Sequence, residues 1–101
     1  MEIQRINPAP RWSDITLYNG IAHFVEIAED ETADITGQAQ QIFEQAEATL
    51  ASIGSDKSRI LSATIYVTDF GNLDAFNRAW EAWLPQGCAP SRACVKVELI
   101  G

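Results

Sequence analysis

Ala89-Pro90-Ser91-Arg92-Ala93-Cys94-Val95-Lys96-Val97 alternates in character once past its proline. Proline fixes its own φ and biases the residue before it toward extended backbone, so the stretch opens as an extended segment and continues no helix. From here Ala93, Val95, Val97 and Leu99 alternate with Arg92, Cys94, Lys96 and Glu98. A period of two predicts a strand with one apolar and one polar face. Arg92 and Cys94 then point the same way, ~7 Å apart along the strand. A guanidinium offers a planar fork of donors that fits a carboxylate, so Arg92 beside Cys94 is a candidate carboxylate site. The plainer reading is a strand-edge arginine paired with a surface acid, next to a small buried cysteine. The stretch by itself admits both.

Working outward, residues 60–68 alternate again. Leu61, Ala63, Ile65 and Val67 make an apolar face; Ser62, Thr64, Tyr66 and Thr68 make the other. β-branched and aromatic residues favour a strand here. Between the two strands Leu73, Phe76, Trp80, Trp83 and Leu84 recur at helical spacing, ended by Pro85 and Gly87. Asn72 is the expected N-cap of that helix. Asn77 lies on its apolar stripe beside Phe76, and a buried amide needs partners. It either bonds to nearby backbone and fixes a loop, or stands beside a ligand pocket.

Farther upstream, Asn19-Gly20 separates the apolar runs Ile15–Tyr18 and Ile21–Ile27, which predicts a two-residue hairpin. His23 in its second strand reads as a hydrogen-bonded structural residue, and Glu26 as a solvated strand-edge acid or a carboxylate with a raised pKa. An acidic connector, Glu29 to Asp34, leads into a helix whose apolar positions are Ile35, Ala39, Ile42, Phe43, Ala46, Leu50 and Ile53, with Gly54 placed for a left-handed cap. At the start, Ile3 and Ile6 suggest a short strand, and an arm with Pro8 and Pro10 ends at Arg11-Trp12-Ser13. Trp12 either anchors this arm or walls a pocket.

The order strand, hairpin, helix, strand, helix, strand predicts one α+β domain, with two helices on one face of a mixed or antiparallel sheet. The apolar strand faces belong under the helices. The second face, with Ser62, Thr64, Tyr66, Arg92, Cys94 and Lys96, is expected to serve an oligomer.

The totals exclude several classes. A chain of 101 residues suits one domain. Its net charge of −7 and scattered bases argue against nucleic-acid binding. No apolar run of about 18 residues predicts a membrane span, and Glu2, Gln4 and Arg5 break any signal-peptide pattern. A cytoplasmic location is the default. One histidine and two cysteines without metal-ligand spacing indicate no zinc site, and no phosphate loop or nucleophile elbow is present. No cofactor is expected, and Cys88 and Cys94 do not form a disulfide framework.

Three segments carry a resemblance. Thr64-Ile65-Tyr66-Val67-Thr68-Asp69, then Phe76-Asn77-Arg78-Ala79-Trp80, then Ala89-Pro90-Ser91-Arg92-Ala93-Cys94-Val95 resemble the RidA/YjgF/YoaB family. Ala79-Trp80-Glu81-Ala82-Trp83 and Arg11-Trp12-Ser13-Asp14 are most similar to its YoaB-type branch. The resemblance runs over nearly the whole chain. It implies a chorismate-mutase-like fold and a homotrimer, with a central β-barrel, helices outside, and clefts between subunits. It implies hydrolysis of small reactive enamine or imine carboxylates, of the 2-aminoacrylate type, to 2-keto acids and ammonia. It implies that Arg92 holds the substrate carboxylate, with Cys94, Trp12 and Asn77 lining the cleft. The alternative is a non-catalytic trimeric binder of small carboxylate metabolites. Two departures stand out. Glu26 occupies the place of a family glycine, where its carboxylate could fill the anion site at Arg92. The sequence, read as one domain over 1–101, also stops before the family's last strand, which carries the acid thought to orient the attacking water. The resemblance therefore assigns no general acid or base in this chain.

Overall fold

A computed structural model of the chain describes residues 2–99. The domain limits of 1 and 101 expected from the resemblance fall outside them. Three strands, β1 (Gln4–Pro8), β2 (Ser13–Tyr18) and β3 (Ile21–Phe24), form an antiparallel ladder. Helix α1 (Ile35–Ser52) follows, then β4 (Ser62–Val67), α2 (Leu73–Trp83) and β5 (Ser91–Lys96). β4 and β5 pair in parallel, with α2 as their crossover.

The hairpin forms as its sequence predicts. Asn19 and Gly20 have φ of 53° and 78°, both positive, and Tyr18 faces Ile21 across the turn. Such a turn twists in the same sense as its strands, and asparagine and glycine reach positive φ at least cost. β3 is shorter than the apolar run suggests and ends at Phe24.

Asp34 caps α1, its Oδ1 accepting from the Gly37 amide at 2.8 Å. At the other end Gly54 has φ of 74°, and the amides of Gly54 and Ser55 donate to the carbonyls of Ala51 and Leu50. This left-handed cap needs glycine because a Cβ strains positive φ. Asn72 does not cap α2 as expected. Its side chain makes no capping bond, and its backbone sits at φ −93°, ψ 0°. A 3₁₀ turn, Phe70–Asn72, runs directly into the helix, so Asn72 never adopts the extended backbone an N-cap uses. Asp69 caps that turn instead, accepting from the Gly71 amide.

Among the described residues the two ladders are separate sheets, and the core cluster lies between the two helices and the β4–β5 sheet. Ala39 and Phe43 of α1 meet Phe76 and Trp80 of α2, with Ala63 and Ile65 of β4 beneath them. Phe43 stacks on Trp83 with ring centroids 4.4 Å apart and planes 5° from parallel. Ile15, Ala46 and Leu50 are also buried.

The facing of β5 corrects the sequence reading. Its register sets Arg92 beside Ala63, Cys94 beside Ile65 and Lys96 beside Val67. Neighbours in register share a face of the pleat. Arg92, Cys94 and Lys96 therefore lie on the helix side, and Ala93 and Val95 lie with Thr64 and Tyr66 on the helix-free side. On that side Arg92 and Lys96 remain exposed, while Cys94 between them is half-buried.

Candidate functional site

Arg92 is fixed from three directions. Backbone bonds from the Ser91 amide to Leu61 and from the Val97 amide to Val67 hold both ends of β5 against the β4 segment. Arg92 then projects toward α2, where its Nη2 donates to Asn77 Oδ1 at 2.6 Å. Its guanidinium carbon lies 5.8 Å from the Phe76 ring centroid and 5.5 Å from that of Trp80. Phe76, Asn77 and Trp80 fall on one side of α2 because Trp80 lies four residues after Phe76 and three after Asn77, the spacings that make neighbours on a helix surface. The rings are buried in the core, so they present a rigid shelf. A cation over such faces gains ~0.5–1 kcal/mol at an exposed site.

Arg92 has no carboxylate partner among the described residues; the ion pair found there is Lys57–Glu47 at 3.2 Å. A strand-edge arginine neutralised by a surface acid does not describe it. Cys94, a free and half-buried thiol, follows two residues along the same face. Arg92 and Asn77 thus meet within one chain, with Cys94 two residues farther along the same face of β5. Trp12 does not join them. It sits in the turn between β1 and β2, where its carbonyl accepts from the Ala9 amide, in the other ladder, and it is 66% exposed.

Glu26 does not fill the anion site. It accepts from Thr49 Oγ1 at 2.7 Å and Gln45 Nε2 at 3.2 Å, both on α1. Beyond β3 the chain runs along α1, and Gln45 also donates to the Ile27 carbonyl, which draws Glu26 to the helix. Asn77 is likewise neither a backbone clamp nor an idle core amide, since it accepts from Arg92. The sequence signal was the Phe-Asn-x-x-Trp spacing on α2; it places the amide between two rings but does not say which cation meets them.

Two concavities of the single chain lie elsewhere. One is lined by Glu47, Lys57 and Pro85 among others, and one by Asp14, Glu26 and Thr49 among others. The carboxyls held below their ordinary range are also outside the site. Hydrogen bonds from Thr32 lower Asp30, and those from Ser58 lower Asp56. Among the described residues no three His, Cys, Asp or Glu side chains gather as a metal site, and no helix is long and apolar enough to cross a membrane.

Comparison with known proteins places the chain in a family and its fold among solved structures. Residues 2–101 match the family model described as Endoribonuclease L-PSP. The RutC family protein YoaB of Escherichia coli is 38% identical over 100 residues, which cover 99% of this chain and 88% of that protein. A crystal structure of an uncharacterized protein from Pseudomonas aeruginosa superposes with a TM-score of 0.94 at 33% identity, covering 99% of this chain and 88% of the other. A member of the YjgF protein family from Neisseria meningitidis superposes with a TM-score of 0.90 at 33% identity, covering 98% and 83%. Two helices over mixed strand pairings, with sequence kinship along nearly the whole chain, show that this protein belongs to the RidA/YjgF/YoaB family, the Endoribonuclease L-PSP family of that match.

Proposed function

We propose that the chain binds small carboxylates at Arg92 and hydrolyses reactive enamine or imine carboxylates of the 2-aminoacrylate type. In such a reaction the enamine tautomerises to the imine, water adds to the C=N carbon, and ammonia leaves to give the 2-keto acid. The single observation that carries this reading is an exposed guanidinium, pinned by a neutral amide and two rings, with no acid bonded to it among the described residues. Arg92 would grip the carboxylate, with Asn77 and Cys94 beside it.

The same groups bear on a second reading, a carboxylate binder without catalysis. The groups in contact with Arg92, namely Asn77, Phe76 and Trp80, include no acid or base able to move a proton. Ammonia release from enzymatically generated 2-aminoacrylate separates the two. Release above the uncatalysed background is expected; its absence, together with thermal stabilisation by millimolar 2-oxobutanoate, would leave the binder. A ligand selective for the folded state must raise its stability, so no shift and no release would end both readings.

We also propose that the protein is a homotrimer in the cytoplasm and that a neighbouring copy supplies the second wall of the cleft, including Trp12. Arg92 is open to solvent on one chain, and the helix-free strand faces carry Tyr18, Ile21 and Tyr66, each substantially exposed. Large apolar side chains on an uncovered sheet face mark an interface. Residues 1–101 would form one domain. Sedimentation equilibrium is expected to return three times the mass of the 11.1 kDa chain. A monomer would remove the shared cleft.

A further inference from the structure

We infer that Asn77 is a neutral tether: it holds the Arg92 guanidinium in one pose without discharging it, so that the cation stays available to an anionic ligand. This rests on the carboxylate reading above and deepens it by assigning a positioning residue.

The chain carries 14 acids against 7 bases. In such a chain an exposed arginine has many carboxylates to choose from, yet Arg92 donates to an amide oxygen at 2.6 Å. The difference matters for an incoming anion. An amide oxygen presents only a dipole. A carboxylate in its place would cancel the guanidinium charge and repel a second carboxylate a few ångströms away. The Phe76 and Trp80 rings complete the mount without adding charge. One of the five N–H donors of the guanidinium is used by Asn77, and the others remain to form a fork. A long side chain fixed before binding loses less freedom when the ligand arrives. Asn77 acts through Arg92 rather than on the ligand.

The test separates orientation from charge. Arg92 guanidinium signals are followed by nitrogen NMR, and 2-oxobutanoate is titrated, in the unsubstituted protein, Asn77→Ala and Asn77→Asp. Asn77→Ala should free the guanidinium to rotate and weaken binding by up to ~10-fold, because the ligand must then order a long, rotamer-rich side chain as it binds. Asn77→Asp should keep the guanidinium held yet bind more weakly than Asn77→Ala, because the new carboxylate competes with the ligand. An amide that served packing alone would not split the two variants in this way. The tether is overturned if Asn77→Ala leaves both the guanidinium signals and the affinity unchanged. Neutrality is overturned if Asn77→Asp binds as tightly as the unsubstituted protein. Should the unsubstituted protein bind no carboxylate, the proposed function falls, and the guanidinium signals of Asn77→Ala alone decide whether Asn77 holds Arg92.

Discussion

Arg92→Ala is expected to weaken 2-oxobutanoate binding about 100-fold and to abolish ammonia release, because it removes a charge-assisted fork worth ~2–3 kcal/mol. Isothermal titration and the thermal shift both report the loss. The protein should stay folded. Arg92 lies over Phe76 and Trp80 at an exposed edge, where the lost cation–π contacts cost only ~0.5–1 kcal/mol. Arg92→Lys sharpens the reading. It keeps the positive charge and an aliphatic stem over the rings but replaces a planar fork with a point charge. Binding should fall between the two, roughly 10-fold below the unsubstituted protein. If lysine binds as well as arginine, a charge suffices and the fork plays no part. If alanine binds as well, the carboxylate does not sit at residue 92.

The elements most legible in the sequence were those with a local cause. Asn19-Gly20 announces its turn because few residue pairs tolerate two positive φ values. The stripe from Ile35 to Leu50, closed by Gly54, gives α1 its length and its buried side without reference to anything distant. The stripe of α2 is equally plain. Arg92 and Asn77 were singled out as site residues, and the structure brings them into contact.

What failed depends on partners far along the chain. Alternation in residues 92–97 divides the strand into two faces but cannot say which lies under a helix. That is settled by the parallel register with β4, in which Arg92 meets Ala63 and Cys94 meets Ile65. The apolar set of β5 then lands on the helix-free side. Asn72 failed for a nearer reason. Cap residues are common both at caps and in turns, and here the 3₁₀ turn before α2 took the residue. Glu26 failed because nothing local announces that Gln45 and Thr49 of α1 wait opposite the end of β3.

The other large effect concerns the ring cluster on which the site is mounted. Phe43 is 6% exposed; it stacks on Trp83 and meets Phe76 and Trp80 with centroids 6.0 and 6.2 Å away. It is the side chain of α1 that reaches all three rings of α2. Phe43→Ala should therefore cost ~3–5 kcal/mol, from lost burial and from the cavity left among rings that cannot close on it. A domain of this size has ~5–15 kcal/mol in total, so the midpoint of urea unfolding should drop steeply, with the slope unchanged if unfolding remains two-state. Phe43→Leu keeps most of the volume and should cost far less. The two variants should also differ at the site. Asn77 is placed by the docking of α2, and α2 is docked largely through these rings. Under native conditions Phe43→Ala should therefore loosen the Arg92 guanidinium and weaken 2-oxobutanoate binding, while Phe43→Leu leaves both near their original values. If Phe43→Ala lowers stability yet leaves the guanidinium signals sharp, α2 is held by contacts other than this cluster, and the shelf under Arg92 is independent of the core.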